Sequence, residues 1–255
     1  MLDNIKYFFR GTPDDYIFST GSTIHWIIVL FILLGIELIF KYRNELREDK
    51  YKKIFKTFII TILAIQQIVL YSWYKISGYF TIHESLPLYN CRLAIIFTIF
   101  AFNSGKKFYK NICCYWGMIG AVLALASPVL DPFRFPHYTG ISFFVGHGLL
   151  LWSGVYFLVV EKHIVDKKSL ESVLTFTNIY HGIIFIFNKL TNSNYCYLNA
   201  PPFSIDFIDR MSQFKYTFIA FSVFNISITM FYLIYKILHI HLLKKRTIKN
   251  MFKVY

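Results

Sequence analysis

Apolar positions in this chain come in long blocks, without the three-and-four spacing of an amphipathic surface helix or the alternation of a half-buried strand. Seven blocks stand out, at residues 23–40, 54–74, 85–102, 108–130, 140–160, 170–190 and 216–242. A helix needs about 20 apolar residues to cross the ~30 Å hydrocarbon core of a bilayer, and each block comes near that length. The pattern predicts an all-α, polytopic integral membrane bundle of seven helices. The third block is the least regular, because Arg92 interrupts it; Ser85 stands where a helix cap would, and Pro87 is tolerated in a first turn.

Residues 1–22 include Asp3, Pro13, Asp14 and Asp15 and lack the basic start and short apolar core of a cleavable signal peptide. They are expected to remain as an extracytoplasmic segment, followed by the membrane domain at 23–242 and a basic cytoplasmic tail at 243–255. No repeat and no Gly/Ser-rich linker divides the chain.

Composition agrees with a bilayer environment: 56% of the 255 residues are hydrophobic, 20% aromatic and only 16% charged. The net charge of +13 would suit a nucleic-acid binder if the bases lay on a water-soluble fold. Their distribution argues otherwise. Alternate connections carry nineteen Lys and Arg on one side, against seven on the other. The acidic residues leave the first set at +13 and the second neutral. Basic residues in short loops stay cytoplasmic, so the N-terminus is expected outside, in a multi-pass protein of the cell membrane. The basic side is expected to attract anionic lipid headgroups, and no nucleic-acid partner is expected.

Polar side chains inside hydrocarbon are costly and usually face the bundle interior. Cys91 lies six residues beyond Ser85 in the third block, and His147 seven beyond Gly140 in the fifth. At 1.5 Å per residue both fall roughly 9–11 Å below their helix starts, which is compatible with contact if the two helices are neighbours. A thiolate is a nucleophile, and an imidazole beside it can take its proton and later return one to a leaving group. Packing of a small thiol and hydrogen bonding of a buried ring are the plainer alternatives. Asn90, Tyr89 or a backbone amide are candidates for stabilising an oxyanion.

Arg92 projects about 100° away from Cys91 around a helix, where a lipid phosphate, snorkelling or a buried polar partner would each account for it. Asn178, His181 and Asn188 form one polar stripe on the sixth block, open to two readings, a cavity lining or interhelical hydrogen bonds. His83, His137, His147, His181 and Cys91 all fall toward the outer half, yet no close ligand pair supports a metal, and no cofactor is expected. The segment 191–215, with Tyr195, Tyr197, Phe203 and Phe207, suits either an interfacial aromatic belt or a lid. Cys113, Cys114 and Cys196 have no spacing that establishes a disulfide.

The ordered combination of Leu86-Pro87-Leu88-x-x-Cys91, Trp116-Gly117 with Gly120, Pro136-His137, Gly146-His147-Gly148 and Asn188…Asn194-Tyr195…Pro201 resembles the YwaF-like bacterial membrane proteins. Those are similar to eukaryotic transmembrane protein 164. The resemblance covers roughly residues 20–240 and implies a Cys-dependent phospholipid acyltransferase with an essential His, matching Cys91 and His147. The expected activity is transacylation on phospholipid or lysophospholipid in the outer leaflet. Ester hydrolysis by the same pair is one alternative, and a transporter, channel or lipid-binding protein another.

Overall fold

The computed structural model describes residues 2–202 and 206–251. After a short helix α1 (Leu2–Phe8), the first apolar block becomes α2 (Thr23–Lys41). Ser22 starts it: its hydroxyl accepts the His25 amide at 3.4 Å, one of the N–H groups that a helix start leaves without a partner. The other blocks form α3 (Asp49–Ile76), α4 (Asn90–Ser104), α5 (Lys107–Ala126), α6 (Tyr138–Val159), α7 (Lys167–Thr191) and α8 (Gln213–Met251). No strand occurs among the described residues. Among the described residues six helices are long and apolar enough to cross a membrane: α2, α3, α5, α6, α7 and, within α8, Gln213–Ile240. The chain is an all-α, multi-pass membrane protein.

At the centre is α6, with 72% of its apolar window buried, against 11% for α8. Outer faces such as Ile27, Leu30 and Phe31 of α2 or Ile179, Ile183 and Ile186 of α7 remain exposed and apolar, as lipid-facing surfaces must be. Small residues let helices approach closely where no hydrophobic effect drives them together. A Cβ added to Gly35 would stand 2.1 Å from the Trp152 ring, whose indole N–H donates to the Ile32 carbonyl at 2.8 Å.

The alternate connections gather at two ends. At the basic end Arg47 donates to the carbonyls of Val160 and Val159, each at 2.9 Å, which satisfies the last turn of α6. Lys107 pairs with Asp166 at 2.7 Å and Lys110 with Glu161 at 2.5 Å. At the other end Arg10 donates to the carbonyls of Tyr7 and Arg134 and pairs with Asp14. The Trp73 indole donates to Phe9 O at 2.9 Å. Residues 1–22 therefore include a segment folded over the ends of α3 and the loop before α6.

Two expectations are corrected by proline. The third helix begins at Asn90 and not at Ser85. Residues before a proline are pushed out of the helical region, and Ser85 instead closes a turn, its hydroxyl accepting the Thr81 amide at 3.0 Å. The result is a helix of only 15 residues, shorter than the other six. The fourth block, expected through residue 130, stops at Ala126 because Ser127, before Pro128, takes φ −139° and ψ 79°. Elsewhere the helices outrun the apolar blocks; α3 starts at Asp49, five residues before its block, since charged turns continue a helix past the hydrocarbon.

Candidate functional site

The late start of α4 creates the site. Tyr89 precedes the helix in an extended conformation without a side-chain cap, and Leu93 N–H makes the first backbone bond, to Tyr89 O at 3.0 Å. Asn90, Cys91 and Arg92 thus form a first turn whose amides lack carbonyl partners within the helix. The irregular chain leading into it is held from outside. The Tyr195 hydroxyl accepts Leu86 N–H at 3.0 Å and donates to Ile82 O at 2.7 Å. Tyr180 donates to Leu88 O at 2.7 Å, and Arg92 to the carbonyls of Glu84 and Leu86 at 3.2 and 3.3 Å. Such pairing is what non-helical backbone inside a membrane bundle requires.

Against this turn packs α6. Ile95, one turn beyond Cys91, touches Gly146: a Cβ there would lie 3.2 Å from Ile95 Cδ1. This approach makes Cys91 and His147 neighbours across the seam between α4 and α6, without a hydrogen bond between thiol and imidazole. His147 is buried, and its Nδ1 sits 2.7 Å from Phe143 O. A carbonyl only accepts, so Nδ1 carries the proton and the neutral ring keeps its lone pair on Nε2. The expectation of equal depth below two helix starts is corrected: Cys91 is in the first turn of α4, whereas His147 lies nine residues, about 13.5 Å, along α6. They are neighbours because α4 begins inside the bundle.

Arg92 lies beside the thiol under a cover of tyrosines. Its guanidinium stands 5.3 Å from the Tyr74 ring, 5.4 Å from Tyr89 and 5.9 Å from Tyr71, and one Nη donates to the Tyr74 hydroxyl at 2.6 Å. No carboxylate pairs with it among the described residues. Nothing in the sequence singled out Tyr71 and Tyr74; three residues apart, they share a face of α3, but that this face meets Arg92 follows only from the packing.

Asn90 points to the other side of α4. Its amide carbonyl accepts the Cys196 thiol at 2.7 Å, which leaves the NH₂ to donate to His181 Nε2 at 3.1 Å. With both ends engaged, Asn90 joins three segments, and its amide is committed there. His181 is fully buried, lying parallel to the Trp116 ring at 6.0 Å. Trp116 belongs to a π-helical stretch, Cys113–Gly117, inside α5, and its indole donates to Thr177 at 2.8 Å.

The polar stripe of α7 serves interhelical and loop bonding. Asn178 exchanges amide bonds with Asn225 of α8 at 2.8 and 2.9 Å. Asn188 binds both the N–H and the carbonyl of Tyr195 at 2.9 Å, which fixes the turn at Tyr195–Tyr197. Tyr195 is completely buried, so it acts as a prop for the approach to Cys91. Phe207 is exposed, and Phe203 lies outside the described residues. His137 is apart from Cys91: it caps α6, accepts the Thr139 amide at 3.3 Å, donates to Arg10 O at 3.0 Å and lies flat on Phe133 at 3.8 Å. Burial holds its pKa below the usual histidine value. Among the described residues no group of three or more His, Cys, Asp or Glu is arranged to hold a metal ion.

No curated protein and no solved structure matches the chain. The sequence model of the TMEM164 family matches residues 18–235, from before α2 into α8 and across every segment that builds the Cys91 site. The chain belongs to the TMEM164 family.

Proposed function

We propose that this membrane protein is a lipid acyltransferase of the cell membrane that carries the acyl group on Cys91. The observation that supports it most is the packing of α4 on α6, which makes Cys91 the neighbour of an imidazole whose Nδ1–H is tied to Phe143 O. His147 Nε2 takes the thiol proton, and the thiolate attacks the ester carbonyl of a phospholipid. The carbonyl–oxygen bond breaks, the imidazolium protonates the departing lysolipid alkoxide, and an acyl-thioester remains. A lysophospholipid hydroxyl, deprotonated by the same nitrogen, then attacks the thioester and regenerates the thiol. First-turn amides of α4 are available to the oxyanion. Arg92, with a free Nε–H and a second N–H on the Nη that meets Tyr74, offers a side-on fork for the lipid phosphate.

The test is a vesicle assay with purified protein, phosphatidylcholine bearing an isotope-labelled acyl chain, and unlabelled lysophospholipid, followed by mass spectrometry. Label is expected in newly formed diacyl lipid, with Cys91→Ala inactive and His147→Gln slowed about 10²–10⁴-fold. Release of free labelled acid alone would make the protein a hydrolase. Full transfer by Cys91→Ala would end the proposal.

A further inference from the structure

At the basic end, away from the Cys91 site, a cavity of about 190 Å³ is lined by Arg47, Lys52, Tyr156, Val160 and Glu161. Tyr156 lies nine residues beyond His147 on α6, about 13.5 Å along the axis, so the two regions share a helix but no residue. We infer that this cavity is a binding site for a phosphate group, and that the anionic phospholipid of the adjoining leaflet supplies it.

Tyr156 is 1% exposed, and its hydroxyl has no hydrogen-bond partner. An unpaired buried O–H costs about 1–3 kcal/mol, and a ligand acceptor in the cavity removes that cost. The charges around it select an anion. The Glu161 carboxylate is held by Lys110 at 2.5 Å, which neutralises the acidic wall. Arg47 uses three of its five N–H groups, on the carbonyls of Val159 and Val160 and on Asn44, so one remains on each Nη. Lys52 has no ion-pair partner among the described residues. It stands in the first turn of α3, whose preceding residue Glu48 makes no side-chain cap, and the amides of a helix start favour negative charge.

Size narrows the ligand. The volume falls below the roughly 300–1,000 Å³ of sites that enclose a drug-sized molecule. It suits a headgroup phosphate whose acyl chains stay in the bilayer. A basic pocket between helix ends is the arrangement that recognises anionic lipids, and a lipid phosphate reaches it from the membrane without crossing the protein.

Native mass spectrometry of the full-length protein in an uncharged detergent tests the site with three probes: phosphatidylglycerol, phosphatidylcholine and inorganic phosphate. Because Arg47 also satisfies α6, the informative variants are Lys52→Gln and Tyr156→Phe, neither of which removes a hydrogen bond described above. Phosphatidylglycerol is expected to bind at least about tenfold more tightly than phosphatidylcholine. Each variant is expected to lose about ten- to hundredfold of that affinity, as for a hydrogen bond to a charged group; in the absence of lipid the thermal midpoint should be unchanged in Lys52→Gln and raised in Tyr156→Phe, which removes the unpaired hydroxyl. Saturation by inorganic phosphate, weakened in the same variants, would assign the phosphate site to the free ion as its source. Equal retention of the two lipids, together with phosphate binding unmoved by either variant, would overturn the inference.

Discussion

Gly146→Val tests whether close packing of α4 on α6 is what couples the thiol to the imidazole. A Cβ at this position already lies 3.2 Å from Ile95 Cδ1 and 3.6 Å from Gln66 Nε2. Valine adds two methyl groups beyond that Cβ in a helix where its rotamer is nearly fixed, so Ile95 cannot simply swing aside. The helices must part by about 1 Å, an overpacking that costs about 1–3 kcal/mol. Replacing glycine in a helix returns only about 0.3–0.5 kcal/mol, the difference between the two propensities. Net destabilisation of about 0.5–2.7 kcal/mol should appear as a lower unfolding midpoint in detergent. The catalytic consequence is larger, since misplacement by about 1 Å can cost 10²-fold in rate. Gly146→Ala serves as control: one contact at 3.2 Å against the end of a flexible side chain should leave most activity. The assay is acyl transfer in vesicles beside the alkylation rate of Cys91, read from its peptide by mass spectrometry. A Gly146→Val protein with unchanged transfer and unchanged Cys91 alkylation would refute the packing argument.

Tyr195→Phe removes one hydroxyl and leaves the half-buried Leu86 N–H without its partner, while the carbonyl of the more exposed Ile82 loses its donor. A loss of about 1–3 kcal/mol is expected, with slower transfer although Tyr195 is not assigned to the chemistry; unaltered stability would argue against its role as a prop. His163, between α6 and α7, has its pKa pushed down to about 4 by burial and by Lys110 and Lys107. An unfolded histidine titrates near 6.5, so the stability contributed by the neutral ring is whole above about pH 6.5 and is lost as pH falls from there toward 4. The unfolding midpoint should drop over that window less steeply in His163→Gln, whose amide can still donate to Asn111 in place of the ring at 2.7 Å; identical slopes would contradict the assignment.

Apolar blocks made most of the helices legible, because a membrane span is defined by its own side chains. The first expected block, 23–40, differs from α2 by one residue, bounded by a capping serine and a basic turn. Errors arose where backbone chemistry overrode hydropathy, at Pro87 and Pro128. The site was legible in part. Cys91 and His147 stood out as candidates for nucleophile and base inside apolar surroundings, but their becoming neighbours depends on a helix that starts within the bundle. His137 and His147 look alike in sequence; only their spatial neighbours make one a cap over Phe133 and leave the other beside a thiol. The Asn188–Tyr195 clamp and the tyrosines over Arg92 escaped notice because each depends on loop geometry or helix phase, neither of which is periodic in the chain.

The central claim is a covalent acyl group on Cys91. Purified protein held with phospholipid vesicles, quenched in acid and digested, should yield a Cys91 peptide heavier by one fatty acyl chain. Neutral hydroxylamine should remove that mass, and His147→Gln should greatly slow its appearance. A Cys91 peptide that stays unmodified while the same sample transfers acyl chains between lipids would contradict the account.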